Sequence, residues 1–193
     1  MPTLSHNDTP PSRYPDEPIV ESRLTWWIAK VKPRREKVLA REFLACQTEY
    51  YLPYYKKKTS RNDCSSHRLS LLPLFPSYVP FACEGAPWPF LKNDSVSTIL
   101  PVKAQRRFKK ELNTIYLACE RNIDVRPIEK RQYTIGQNVR VVAGSLQGIQ
   151  GSVVRIKGVH YFYLLVEGLG GACIEIDGRL TEPCDTFTGN SKE

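Results

Sequence analysis

The sequence predicts an α+β protein in two parts: an antiparallel sheet with helices on one face, then a small β-barrel. Three observations carry that expectation. Two stretches place apolar residues at helical spacing and alternate with short β-prone runs. A charged segment follows at residues 123–132. Beyond it the texture changes to β-rich runs punctuated by glycine, which suits a small barrel.

The elements follow in order. Residues 1–23 hold Pro2, Pro10, Pro11, Pro15 and Pro18 among polar neighbours, so a disordered tail is expected. Residues 24–122 form the first folded unit. The run from Thr25 to Val31, which contains Trp26 and Trp27, is aromatic and β-prone and reads as a strand. Pro33 fits the first turn of a helix, and Leu39, Phe43 and Cys46 then make one buried stripe. Arg34, Arg35, Lys37 and Arg41 point away from it. A second strand from Glu49 to Tyr54 breaks at Pro53. Residues 56–66 are polar and charged, a hairpin loop or a disordered excursion.

The run from Leu71 to Phe81 is apolar but carries Pro73, Pro76 and Pro80. Proline cannot donate to a ladder, so this is an edge strand or one entered through a fixed turn. Pro87-Trp88-Pro89-Phe90 is a rigid aromatic knuckle or the start of a short helix, and residues 96–102 form a further strand. The second helix spans residues 104–122, with Phe108, Leu112, Ile115 and Cys119 on one face. Arg106, Arg107, Lys109 and Lys110 lie on or near the other. Residues 123–132 are the linker, residues 133–184 the barrel and residues 185–193 a polar tail.

The net charge is +8, a balance that favours a polyanionic partner because basic residues release condensed counterions from phosphates. A solvated basic surface explains the same charge. The six cysteines form no C-x-x-C pair and have no histidine spaced for zinc, so no metal or other cofactor is expected. The first 22 residues are polar and proline-rich, unlike a secretory leader, and no apolar run is long enough for a membrane. A reduced cytoplasmic setting follows. The histidines are His6, His67 and His160. With no phosphate loop, nucleophile elbow or spaced carboxylate pair, catalysis is not expected.

Two segments together resemble one family. The first joins Trp26-Trp27, Pro33-x-x-Glu36-Lys37-Val38, Tyr51-Leu52-Pro53 and Pro73-Leu74-Phe75-Pro76-Ser77-Tyr78-Val79. It resembles the NGN domain of NusG-like transcription elongation and antitermination factors. The second holds Gly136, Val139, Arg140, Gly144, Gly148 and Gly151, and is similar to the KOW motif. The resemblance implies an SH3-like barrel for the second part. Ser77 stands where the family usually has glycine, and the common glycine before Glu36 is missing too. The motif K-P-R-R-E and the proline-rich tail look more like the specialised, operon-restricted RfaH-like and UpxY-like branches than the housekeeping factor.

That resemblance implies a protein that binds the clamp of RNA polymerase and suppresses pausing and termination, without being an enzyme. Trp27, Lys30, Phe75 and Tyr78 match the polymerase-binding surface by position. Phe75, fixed between two prolines, would lose little entropy on binding. Arg34, Arg35 and Lys37 at the helix start, and Trp88 on its knuckle, are the candidates for contact with the non-template DNA strand. The KOW part implies recruitment of the termination factor Rho or a small-subunit ribosomal protein through the turn at residues 166–171 and the strand after it. A monomer is the simplest expectation. A ribosome- or RNA-binding KOW protein of translation would explain the charge equally well, but gives no reason for the P-L-F-P-S-Y segment.

Overall fold

The computed structural model describes residues 9–61, 64–127, 137–144, 147–148, 150–156, 159–166, 168–176 and 181–183. The architecture is mixed α+β, with two α-helices among the described residues and antiparallel sheets. The strands of the first sheet are β1 (Arg13–Tyr14), β2 (Thr25–Val31), β3 (Glu49–Tyr51), β6 (Tyr78–Cys83) and β7 (Val96–Pro101). They lie in the order β1-β3-β6-β2-β7. Helix α1 (Glu36–Ala45) follows β2, and α2 (Gln105–Glu120) follows β7.

The two helices do not share a face, contrary to the simplest layering. Period-two alternation along β2 sends Ala29 and Val31 to one side, into a cluster with Leu39, Ala40 and Phe43 of α1. It sends Trp26 and Ile28 to the other, into a cluster with Phe108, Leu112 and Ile115 of α2. A sheet whose strands are apolar on both sides needs a cover on each. Pro33 opens no helix either: it sits in the turn before α1, which begins at Glu36.

Of the two readings of the proline-bearing run, the strand entered through a turn holds: only Pro80 of its three prolines lies in β6, which is central and follows the turn at Pro76. β6 lies between β3 and β2, yet β3 pairs only with Ala82 and Phe81. Pro80 pairs with Ile28 on the other side, so its missing donor falls where the β3 ladder has stopped. At the far end of β2, the Gln105 side chain completes the sheet. Its Oε1 accepts from Trp26 N at 2.9 Å and its Nε2 donates to Trp26 O at 2.8 Å.

The N-terminal segment is ordered from residue 9, where a tail was expected. Arg13 and Tyr14 pair with Tyr51 and Tyr50, and Ile19 is fully buried. Arg13 forms a buried ion pair with Glu49 and lies 5.4 Å over the Trp26 ring. Its guanidinium also donates to the carbonyls of Tyr14, Glu17 and Tyr50. Further along, Ile19 N donates to Asn113 Oδ1 of α2 at 2.9 Å. A proline-rich composition therefore forms a strap here, because other segments supply its hydrogen bonds and apolar cover. Residues 1–8 lie outside the described residues.

The expected loop at residues 56–66 is instead part of a long hairpin of β4 (Tyr54–Arg61) and β5 (Cys64–Pro73), which form a sheet of their own. The last sheet contains β8 (Val125–Pro127), β9 (Gln137–Val141), β10 (Gln150–Ile156), β11 (Val159–Val166), β12 (Gly170–Ile176) and β13 (Thr181–Pro183). Its order is β13-β9-β10-β11-β12-β8. One of its strands comes from the segment read as linker, since β8 pairs with β12, while β13 pairs with β9 at the end of the segment read as barrel.

The α2-side cluster runs on into this sheet through Val139, Val141, Phe162, Val166, Leu169 and Ile174. Gly168, at φ +78°, marks a close approach, since a Cβ there would lie 2.9 Å from Ile28 Cδ1. Among the described residues, no helix is long and apolar enough to cross a membrane.

Candidate functional site

Two turns of the same design meet at one end of the first sheet. In Lys32-Pro33-Arg34-Arg35, Arg35 N donates to Lys32 O at 3.1 Å and Arg34 has φ +65°. In Phe75-Pro76-Ser77-Tyr78, Tyr78 N donates to Phe75 O at 3.2 Å and Ser77 has φ +66°. Proline second and a left-handed residue third is the type II pattern, which glycine fills most easily. Arg34 and Ser77 therefore occupy the positions where the sequence lacks its expected glycines.

The turns are clasped together. Val31 N donates to Ser77 O at 2.8 Å, and Ser77 N donates to Glu36 Oε1 at 2.8 Å. Glu36 is only 6% exposed, so this carboxylate is a buried strut between the start of α1 and the second turn. Sequence reading placed Glu36 in a motif without seeing this task. Its signal was an acidic residue in a helix's first turn, where the dipole welcomes it. A third connection, Lys32 N to Ser95 O at 2.9 Å, brings in the turn before β7. The clasp leaves Lys30, Lys32, Pro33, Arg34, Arg35 and Pro76 exposed, with Tyr78 half-buried beside them. Chemically this is a rigid cationic edge carrying prolines and one aromatic ring.

Of the four residues matched to a protein-binding surface, Lys30 and Tyr78 come together as cross-strand partners on the α2 side of the sheet. Phe75 belongs to the same side but is 2% exposed, within the apolar cluster around α2. It fills core, and not against Leu39 and Phe43, which lie on the other side. Trp27 is half-buried on the α1 side, away from the other three. Trp26 is fully buried, 6.3 Å from Phe108 between ring centroids.

The nucleic-acid candidates divide similarly. Arg34 and Arg35 are exposed in the first turn. Lys37 turns inward: Nζ donates to Leu71 O at 2.9 Å and Thr9 Oγ1 at 3.3 Å, 5.3 Å from the centroid of the Tyr54 ring. Desolvation, helped by Arg41, pulls its pKa below the usual lysine value. Lys37 thus ties the strap and hairpin base to α1 with two of its three ammonium donors. The Trp88 side chain lies outside the described residues, though Trp88 does begin a 3-10 turn.

In the second sheet, Val139 is buried against Gly151 across the β9–β10 ladder, and Arg140 is exposed. Gly144 and Gly148 have φ of +82° and +88°, and Gly148 N closes the loop on Val141 O at 2.8 Å. Gly136 lies outside the described residues. The turn assigned to partner recruitment lies partly under cover: Val166 and Leu169 are buried, and Gly168 abuts Ile28. The described residues contain no group of three or more His, Cys, Asp or Glu that could hold a metal ion. The chain matches no protein-family model and no curated protein sequence at a significant level.

Proposed function

We propose that this chain is a NusG-like transcription elongation factor: its first part binds RNA polymerase, its basic edge meets nucleic acid, and its second part is a KOW module that recruits a further partner. The observation that carries this reading is the clasp. The two sequence blocks that resemble the NGN domain, one from Pro33 to Val38 and one from Pro73 to Val79, are separated in sequence yet bonded through Glu36, Ser77 and Val31. Two motifs that meet in space through a buried carboxylate act as one surface.

In this reading Lys30 and Tyr78 grip the clamp of the polymerase, with Phe75 supporting their strand from within. Arg34 and Arg35 face the non-template strand. Their left-handed turn holds a charged residue where glycine would be less strained, and retained strain of this kind accompanies use. Binding that favours the closed clamp lowers the population of paused states, so the effect is processive antitermination serving a long operon.

Co-purification with RNA polymerase tests the reading. Lys30→Glu with Tyr78→Ser should cut retention at least tenfold while the thermal melt stays close to the parent's. Arg34→Ala with Arg35→Ala should leave retention intact but lower the salt slope of DNA binding by about two. Undiminished retention of the first variant would overturn the assigned surface. Co-sedimentation with ribosomes in place of polymerase would favour the translation reading.

A further inference from the structure

Behind the β4–β5 hairpin lies a cleft of about 940 Å³. One wall is Tyr54, Tyr55, Lys56, Lys57 and Leu69 of the hairpin; the other is Cys119 and residues 122–127 at the end of α2 and along β8. Both walls are strand edges. Among the described residues β4 pairs only with β5 and β8 only with β12, and β4 and β8 approach each other here without joining. The eight residues of β4 present a row of backbone donors and acceptors that a further strand can take up, while β8, three residues ending in Pro127, adds carbonyls and at most one N–H.

The side chains say what kind of strand fits. Tyr55, Leu69, Ile123 and Val125 supply apolar wall. Leu69 is 55% exposed, a large apolar side chain that the described residues leave largely uncovered. Lys56, Lys57 and Arg126 supply positive charge. Among the described residues of the lining Asp124 is the one that is acidic, and it is already held by Arg126 at 2.6 Å. Lysines on a strand edge repel neutral or basic strands and so protect against aggregation. Toward an acidic strand the same lysines are attractive. A nucleic acid would use neither backbone edge, and the Tyr54 ring is already taken by Lys37.

We propose that the cleft between β4 and β8 receives an extended acidic segment of a partner protein as an added strand, with apolar residues at alternate positions. This site is separate from the clasp and does not depend on the polymerase reading.

Fluorescence anisotropy with the full chain and a labelled octapeptide of alternating glutamate and valine tests it. Saturable binding is expected. Lys56→Glu with Lys57→Glu should weaken it at least tenfold without lowering the melt, as both side chains are exposed. A peptide methylated on alternate amide nitrogens keeps its charge but loses one set of donors. Of the two such peptides, at least one should bind tenfold more weakly. A lysine–valine octapeptide should not bind. The proposal is overturned if the acidic peptide fails to saturate, or if the charge reversal leaves its affinity unchanged. It is equally overturned if both methylated peptides bind like the parent, or if oligothymidine displaces the peptide at lower concentration than the unlabelled peptide does.

Discussion

At the scale of single residues, the two departures from glycine proved the most informative positions in the chain. A non-glycine residue in the left-handed region costs about 1–2 kcal/mol. Ser77 bears that cost because its N–H and C=O are both held, by Glu36 and by Val31. Ser77→Gly should keep these bonds and relieve the strain. Part of the gain is offset by the greater freedom of glycine in the unfolded chain. The net expectation is a stabilisation of up to about 1 kcal/mol, read from chemical denaturation. These positions were legible because a missing glycine is visible in a sequence. Glu36 as a buried strut was not: the sequence shows an acidic residue near a helix start, and only the fold shows which N–H it reaches.

At the scale of elements, periodicity located both helices and most strands to within a few residues. It failed where polarity and structure part company. The hairpin strands carry three consecutive lysines, and with Lys56 and Lys57 both exposed at successive positions there is no polar–apolar alternation to read. The N-terminal strap failed for the opposite reason, since its prolines suppress any period while its order comes from distant residues. Its anchor is Arg13, 4% exposed and paired with Glu49, itself 7% exposed. Removing one partner strands a buried charge and costs about 3–5 kcal/mol. Arg13→Ala should therefore destabilise the whole fold by that amount in an equilibrium unfolding measurement, whereas loss from a tail would be neutral. An unchanged unfolding midpoint would show that the strap contributes nothing.

At the scale of the whole molecule, burial of tyrosines links stability to pH. Desolvation raises Tyr50, Tyr51 and Tyr54 above the usual phenol range. A raised folded-state pKa means the unfolded chain gives up its protons first as pH rises. The stabilisation is complete below about pH 10, where both states are protonated, and declines as pH climbs past it. The melting temperature should accordingly fall steeply above that pH. Tyr54→Phe should soften the decline. It should also raise stability at neutral pH by about 1 kcal/mol, because the Tyr54 hydroxyl is buried with no hydrogen-bond partner among the described residues. A Tyr54→Phe variant as alkali-sensitive as the parent would remove that tyrosine from the account. The change of texture after residue 132 did not mark where the second sheet begins, since β8 at residues 125–127 already belongs to it, and the apolar cluster that spans both sheets was not legible either. Periodicity identifies a face as apolar and does not name its cover.

The strap also constrains the order of events during synthesis. Arg13 pairs with Glu49 and Ile19 bonds to Asn113, so the strap finds one seat once β3 has emerged and the other only after α2. The Ile19 end must wait in solvent while some ninety further residues are made. The strap is thus seated in two steps, first on β3 and then on α2.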